Sequence, residues 1–116
     1  MPTTKEVERR IAGERAVIRK AIRLLKSKGW RPVRVWDGEC NTHTTSEAEV
    51  IDAVFSVDES RVRFEHLNHA GTHCFCVVLG NSPGECIHDA SQGEGWDDAM
   101  ELVWGHLATV AEREAA

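Results

Sequence analysis

Three of the four cysteines and two of the six histidines lie within residues 73–88, HCFCVVLGNSPGECIH. Thiolates and imidazoles are the ligands that zinc prefers, and a Cys3His set is a known structural zinc shell. If Leu79 pairs with Glu85 across a hairpin, one face of the ribbon collects four candidate ligands: Cys74, Cys76, Cys86 and His88. Neighbours on such a face lie about 5 to 7 Å apart and lack the tight C-x2-C turn usual in zinc sites. The sequence therefore predicts thiols buried in a core and no bound metal, with a small zinc-binding protein as an alternative.

The same hairpin offers a cysteine nucleophile by residue type alone. Cys76 is predicted to face His88, but Asp89, which would have to orient the imidazole, falls on the opposite face of the strand. The loop GNSPG resembles a phosphate-binding loop only in its glycines, because neither a lysine nor a helix N-terminus follows it. We therefore expect no enzymatic activity and no cofactor.

The elements that position these residues follow from hydrophobic periodicity. An apolar stripe predicts a helix from about Thr4 to Lys28, which Gly29 ends. Residues 32–39, PVRVWDGE, predict a short strand closed by a turn, and Ser46 with Glu49 forms a capping box that opens a second helix. Five further segments complete the chain: a strand at 61–67, a polar turn at 66–73, strands at about 73–79 and 85–89, and an amphipathic helix at 94–114.

The order α-β-α-β-β-β-α predicts an α+β fold, with a three- to four-stranded antiparallel sheet and helices packed on it. Residues 1–116 form a single domain by length. Within it, residues 1–12 are expected to fray or project, because the apolar stripe thins there. Residues 74–79 are apolar on both faces, which predicts a central strand covered on both sides. The chain has no apolar run of membrane-spanning length and no signal peptide, so the sequence predicts a cytoplasmic protein.

Charge is distributed unevenly along the chain, whose net charge is -5. Residues 1–34 hold eleven basic and three acidic residues, whereas residues 35–116 hold three basic and sixteen acidic ones. Either the two segments neutralise each other, within one chain or across a homodimer, or one of them binds a charged partner. A nucleic-acid-binding protein is one alternative, in which phosphates contact the basic helix at Arg15, Arg19, Lys20, Arg23 and Lys26. The sequence pI of about 5.6 argues against it.

Acidic residues near tryptophans predict a different surface. Trp is enriched at the centres of protein interfaces, and carboxylates can steer a basic partner into place. The predicted partner-binding set is Trp36, Asp37, Glu39, Glu94, Trp96, Asp97, Asp98 and Glu101.

Two segments, AIRLLKSKGWRPVRVWDGE at 21–39 and VVLGNSPGECIHD at 77–89, together with the capping-box helix, resemble short uncharacterised proteins of bacteriophages and prophages of proteobacteria. The likeness extends over about residues 21–104, and the segment Cys86–Asp89 departs from the family pattern. It implies no catalytic residues. It does imply a non-enzymatic protein that binds and inhibits a host protein or protein complex, as anti-CRISPR and other anti-defence inhibitors do.

Overall fold

A computed structural model describes residues 3–115 of the chain. Its elements, in chain order, are α1 (Thr4–Ser27), β1 (Trp30–Trp36), β2 (Asn41–His43), α2 (Glu47–Val54), β3 (Glu59–His66), β4 (His69–Val78), β5 (Ile87–Ala90) and α3 (Trp96–Ala115). A single turn of 3-10 helix over Pro83–Glu85 lies between β4 and β5. None of the described helices is long and apolar enough to cross a membrane.

Helix α1 begins and ends where local sequence signals place its boundaries. The Thr3 hydroxyl accepts the Glu6 N–H at 3.1 Å and the Glu6 carboxylate accepts the Thr3 N–H at 3.2 Å, which completes a capping box. At the other end Gly29 has a φ of +90°, a conformation that favours glycine and ends the helix. Residues 4–12 belong to this helix, and the part of the predicted extension that falls on Met1 and Pro2 lies outside the described residues.

The five strands form one antiparallel sheet in the order β2-β1-β3-β4-β5. The predicted α+β class is therefore confirmed, with helices packed against an antiparallel sheet. The strand count exceeds the predicted three to four because Asn41–His43, expected to be loop, pairs with Arg34–Trp36. All three residues of β2 are exposed, so backbone pairing forms this strand without an apolar pattern.

Two sequence predictions about β4 and its hairpin were wrong. The strand starts at His69, so most of the predicted polar turn at 66–73 is strand, and only Leu67 and Asn68 connect β3 to β4. The predicted pairing of Cys76 with His88 also fails, because Cys76 lies opposite Asp89. The predicted register holds where Val77 pairs with Ile87, and a bulge between Cys76 and Val77 shifts the pairing by one residue beyond that point.

The three helices pack against one face of the sheet. On that face Val35, Val62, Phe64, Phe75 and Val77 are at most 1% exposed. They share a single core with the apolar residues of α1, α2 and α3. Alternate residues of the same strands, such as Arg61 and Cys76, are exposed or half-buried. The expectation that β4 is covered on both faces was therefore wrong, and its second face is open.

An aromatic cluster closes the end of the core near the β3–β4 turn. Trp30 and Trp96 are 1% and 0% exposed, with ring centroids 5.1 Å apart. Three histidine rings pack on Trp30 at centroid distances of 5.0, 5.5 and 5.5 Å, namely His66, His69 and His73. The Asn68 N–H donates to His66 Nδ1, so His66 Nε2 carries the hydrogen and donates to the Lys28 carbonyl at 3.0 Å. The three half-buried histidine rings are therefore accounted for by packing on Trp30 at the edge of the core.

Candidate functional site

The side chains on the uncovered side of the sheet define a surface that we call the open face. Directly paired residues of antiparallel strands project from the same side, so the strand register places the open-face residues in rows. One row crosses all five strands: Asn41, Trp36, Arg61, Cys76 and Asp89. The next row is His43, Arg34, Arg63 and Cys74. The centre of the open face thus combines one tryptophan with three arginines.

Trp36 is 38% exposed, and hollows adjoin it on both sides. One hollow, of about 310 Å³, extends past Arg61 and Cys76 to Val78. The other, of about 270 Å³, lies over Arg34, Asn41 and Arg63. An exposed indole between two hollows offers a partner both an apolar surface and space on either side of it.

The three open-face arginines lack carboxylate partners within residues 3–115. Arg63 donates to the Thr72 hydroxyl at 2.9 Å, and Arg61 lies opposite Cys76 on the neighbouring strand. Arg31, by contrast, is paired with Glu65 farther along the same sheet. Three guanidinium groups free of ion pairs therefore adjoin Trp36, and they outnumber the two carboxylates nearest to them on the open face, those of Glu59 and Asp89.

The predicted acidic partner-binding set is divided between two ends of the molecule. Asp37 and Glu39 follow Trp36 in the β1–β2 turn, at one edge of the sheet. The Asp37 carboxylate accepts N–H groups of Cys40 and Glu39 at 2.7 and 2.9 Å, and these bonds lower the pKa of Asp37. The other four carboxylates, of Glu94, Asp97, Asp98 and Glu101, lie beyond β5 at the start of α3. The sequence-predicted set is therefore not one surface.

Trp96, predicted as a partner-binding residue, is 0% exposed and is therefore not a surface anchor. Its indole N–H donates to the Ser91 carbonyl at 2.9 Å inside the aromatic cluster. Trp104, two turns farther along α3, is instead 37% exposed beside a hollow of about 340 Å³ that Asp89, Asp97 and Glu101 also line. The sequence prediction assigned Trp104 to the apolar face of the helix, because residues 100, 103, 104 and 107 lie on one helical stripe.

The four alternative zinc ligands are not brought together. Cys74 and Cys76 lie half-buried on the open face, whereas Cys86 is 0% exposed in the core and His88 is exposed. Within the described part of the chain, no group of three or more His, Cys, Asp and Glu side chains could hold a metal ion. The one-residue shift of the β4–β5 register is what removes His88 from the position opposite Cys76.

The candidate nucleophile Cys76 also lacks the base predicted for it. Its cross-strand neighbour is Asp89, a carboxylate. Burial raises the pKa of the Cys76 thiol, and the neighbouring Arg61 only partly offsets that effect. The thiol form is therefore favoured, which is the opposite of what nucleophilic catalysis needs.

The basic face of α1 is partly neutralised within the chain. Arg19 and Arg23 both reach the Glu47 carboxylate at the start of α2, at 3.3 and 3.2 Å. Arg15 lies over the Phe55 ring, 4.6 Å from its centroid. Of the five residues in the alternative nucleic-acid face, Lys20 and Lys26 are exposed and make no ion pair among residues 3–115.

Sequence reasoning missed the open-face arginines as a site. The signal was present in RVRF at 61–64, where arginines alternate with buried apolar residues. That alternation was used to predict the strand, and its polar side was left as a solvated face. The alternation of β1 also places Arg34 on the same side as Trp36, but that relation was not used to define a site.

Comparisons with known proteins give no match with a family model, a curated protein or a solved structure.

The four cysteines should react with a thiol reagent such as Ellman's reagent in an order set by burial. Cys40 lies exposed in the β1–β2 turn and should react at once, and the half-buried Cys74 and Cys76 should follow more slowly. Burial first, and the Glu14 carboxylate second, raise the pKa of Cys86 to about 12, so at pH 8 its thiolate fraction is roughly one in ten thousand. Three thiols should titrate in the native protein and the fourth only in denaturant.

Single Cys→Ser variants would assign each kinetic phase to a residue. The sequence alone predicted that Cys40 would be the one accessible thiol, and the open face changes that expectation for Cys74 and Cys76. A native titration of one thiol only would mean that something covers the open face. Rapid reaction of all four would mean that the core around Cys86 is not packed as the structure has it.

Proposed function

We propose that this chain is a non-enzymatic interaction protein that binds a host protein through the open face of its sheet, with Trp36 as the central anchor. The observation that carries the proposal is the position of Trp36, 38% exposed among three arginines that have no carboxylate partner within residues 3–115. Trp and Arg are two of the residue types most enriched in interface hot spots. A partner with an acidic surface fits this charge.

The biological setting of the proposal rests on the resemblance to small phage and prophage proteins. Such proteins work by binding a host component, so inhibition of a host protein or complex in the bacterial cytoplasm, of the anti-defence or anti-CRISPR type, is the effect we propose. The 38% exposure of the Trp36 indole supports a binding role, since a structural role would bury the ring. The division of the acidic residues between two ends of the molecule makes the cationic open face the better candidate surface.

The test is capture of the partner from bacterial lysate by the immobilised protein and three variants, quantified by mass spectrometry. The Trp36→Ala substitution should weaken binding by about 2 kcal/mol, roughly thirtyfold in Kd. The partner should then be lost from the immobilised variant during washing. An Arg61→Glu/Arg63→Glu variant should lose the same partner. Trp104→Ala is the matched control, because Trp104 is equally exposed but lies beside carboxylates on α3.

Three results would decide against the proposal. Retention of the partner by both open-face variants would exclude the open face. Loss of the partner in the Trp104→Ala variant alone would place the interface on the acidic surface near Asp97 and Glu101. Turnover of any substrate by the parent protein, lost in the open-face variants, would contradict the non-enzymatic assignment.

Single-stranded nucleic acid is a second candidate partner for the same surface. An indole that can stack on a base, flanked by arginines that can contact phosphates, is the arrangement used by single-strand-binding sheets. Anisotropy of a labelled oligo(dT), measured at rising salt, separates the two candidates. Salt-sensitive binding that Trp36→Ala abolishes would favour nucleic acid, whereas capture that survives nuclease treatment of the lysate would favour a protein.

A further inference from the structure

A groove between α1 and α3 is a second candidate site, separate from the open face. The two helices run antiparallel, because Gly13 contacts Pro83 near Ala111 whereas Lys20 lies close to His106. The groove has a volume of about 440 Å³, within the range of about 300 to 1,000 Å³ typical of small-molecule sites. From Arg9 to Lys20 along α1 it extends for roughly 16 Å.

The floor of the groove is apolar and shaped by small residues. Ala16 and Val17 of α1, Val110 of α3 and Pro83 of the 3-10 helix line it. At Gly13 a Cβ would come within 2.6 Å of Pro83 Cγ, so glycine is what lets the 3-10 helix approach α1 this closely. The hollow left between the helices is therefore built by the packing and is not a gap at a mobile end.

The rim of the groove is cationic. Arg9, Lys20 and Arg113 line it, and none of them makes an ion pair within residues 3–115. The one carboxylate of the groove, that of Glu114, accepts the Gly84 N–H at 2.8 Å. His106 also lines the groove, and burial, and after it the charges of Lys20 and Arg113, lower the pKa of its imidazole.

We infer that this groove binds a single amphiphilic anion, with its alkyl chain along the apolar floor and its carboxylate at the cationic rim between Lys20 and Arg113. An alkyl chain suits the floor because it has no polar atom to satisfy there. A negatively charged head group suits the rim because its three cations make no ion pair within residues 3–115 and outnumber the one carboxylate, that of Glu114. This inference does not depend on the function proposed for the open face.

The experiment uses dodecanoate, below the concentration at which it forms micelles, and follows the amide and imidazole NMR signals of the full chain. Dodecanoate should shift the signals of Gly13, Ala16 and Val110 and leave those of the open face in place. A bound carboxylate offsets the charges of Lys20 and Arg113, so the pKa of His106 should rise toward its ordinary value when dodecanoate is present. Arg9 and Glu114 are the other charged groups that line the groove.

Matched probes and variants make the result decisive. Dodecyltrimethylammonium, with the same chain and the opposite charge, should not bind, and a Lys20→Glu/Arg113→Glu variant should bind dodecanoate roughly tenfold more weakly. Ala16→Phe, at an exposed position, should block the groove, whereas Lys26→Glu on the same helix but outside the groove should bind as the parent does.

Equal binding of both surfactants, or unchanged binding by the double variant or by Ala16→Phe, would overturn the inference. So would binding to vesicles of anionic lipid without binding of monomeric dodecanoate, which would make the surface a membrane contact.

Discussion

The Trp96→Ala variant should lose about 4 kcal/mol of unfolding free energy, because it removes a fully buried indole from the centre of the aromatic cluster. The Trp96 ring lies 5.1 Å from Trp30 and 5.5 Å from Phe64, and it stacks on His73 at 5.6 Å between centroids. Domains of this size have a total stability of about 5 to 15 kcal/mol, so the variant is expected to be marginally folded. In urea denaturation the midpoint should fall by roughly 2 M, at a slope of about 1 to 3 kcal/mol per molar.

Two further substitutions separate packing from hydrogen bonding at this position. Trp96→Phe keeps most of the apolar surface but leaves the Ser91 carbonyl without its donor, and should cost about 1 to 3 kcal/mol. Trp104→Ala on the same helix is the control and should change stability by less than about 1 kcal/mol, since its ring is 37% exposed. If Trp96→Ala folds as well as the parent and only loses a partner, then Trp96 is the surface anchor that the sequence suggested.

The parts of the fold that were predicted correctly are those whose signals are local. The apolar stripe and the glycine that follows it predicted α1, and Gly29 has the positive φ that ends a helix. The Ser46 hydroxyl accepts the Glu49 N–H at 3.3 Å and caps α2. The alternation of Val62 and Phe64 with arginines predicted β3. Each signal requires only neighbours within a few residues, so a single sequence is sufficient to read it.

The parts that were missed depend on contacts between distant segments. β2 exists because β1 offers it backbone partners, and its own three exposed residues carry no pattern. The start of β4 was predicted as a turn because histidine is polar, so the sequence pattern did not identify His69 and His73 as packed residues. Their half-buried rings pack against Trp30 and against the backbone at Gly95 and Gly93, twenty or more positions away in sequence. Hydropathy cannot reveal an aromatic contact of that kind.

The candidate surfaces were mispredicted for a related reason. Residue type identified tryptophans and charges as candidates, but only the fold decides which tryptophans are buried and which charges are paired. Trp96 went into the core and Trp104 to the surface, although both were assigned to the same apolar stripe. Arg19 and Arg23, predicted as a basic face, share one carboxylate, that of Glu47, from another helix. Arg61 and Arg63 drew no attention in the sequence and are the unpaired cations of the open face.

Glu14 is a buried carboxylate that entered the sequence analysis only as one of the three acidic residues of residues 1–34. It is 1% exposed, and its two oxygens accept the Gly80 N–H at 2.9 Å and the Arg10 Nε–H at 3.3 Å. These bonds connect α1 to the loop that follows β4. Arg10 itself is 29% exposed, so solvent reaches the guanidinium but not the carboxylate. Removal of Arg10 would therefore leave a buried charge, whereas neutralisation of Glu14 would leave an arginine that solvent reaches.

Arg10→Ala should consequently cost more stability than Glu14→Gln, about 3 kcal/mol against about 1 kcal/mol. Removing the arginine leaves a buried carboxylate without its counter-charge, which is the expensive way to break a buried pair. Replacing the carboxylate by an amide keeps an acceptor for the Gly80 N–H and frees an arginine that can turn to solvent. The double variant Arg10→Ala/Glu14→Gln should regain most of the loss, because no charge then stays buried.

Urea denaturation of the parent, the two single variants and the double variant gives the coupling energy between the two side chains, and Lys5→Ala, an exposed change on the same helix, is the control. Equal costs for the two single variants, or a double variant no more stable than Arg10→Ala, would mean that water reaches the Glu14 carboxylate and that the pair contributes little to the fold.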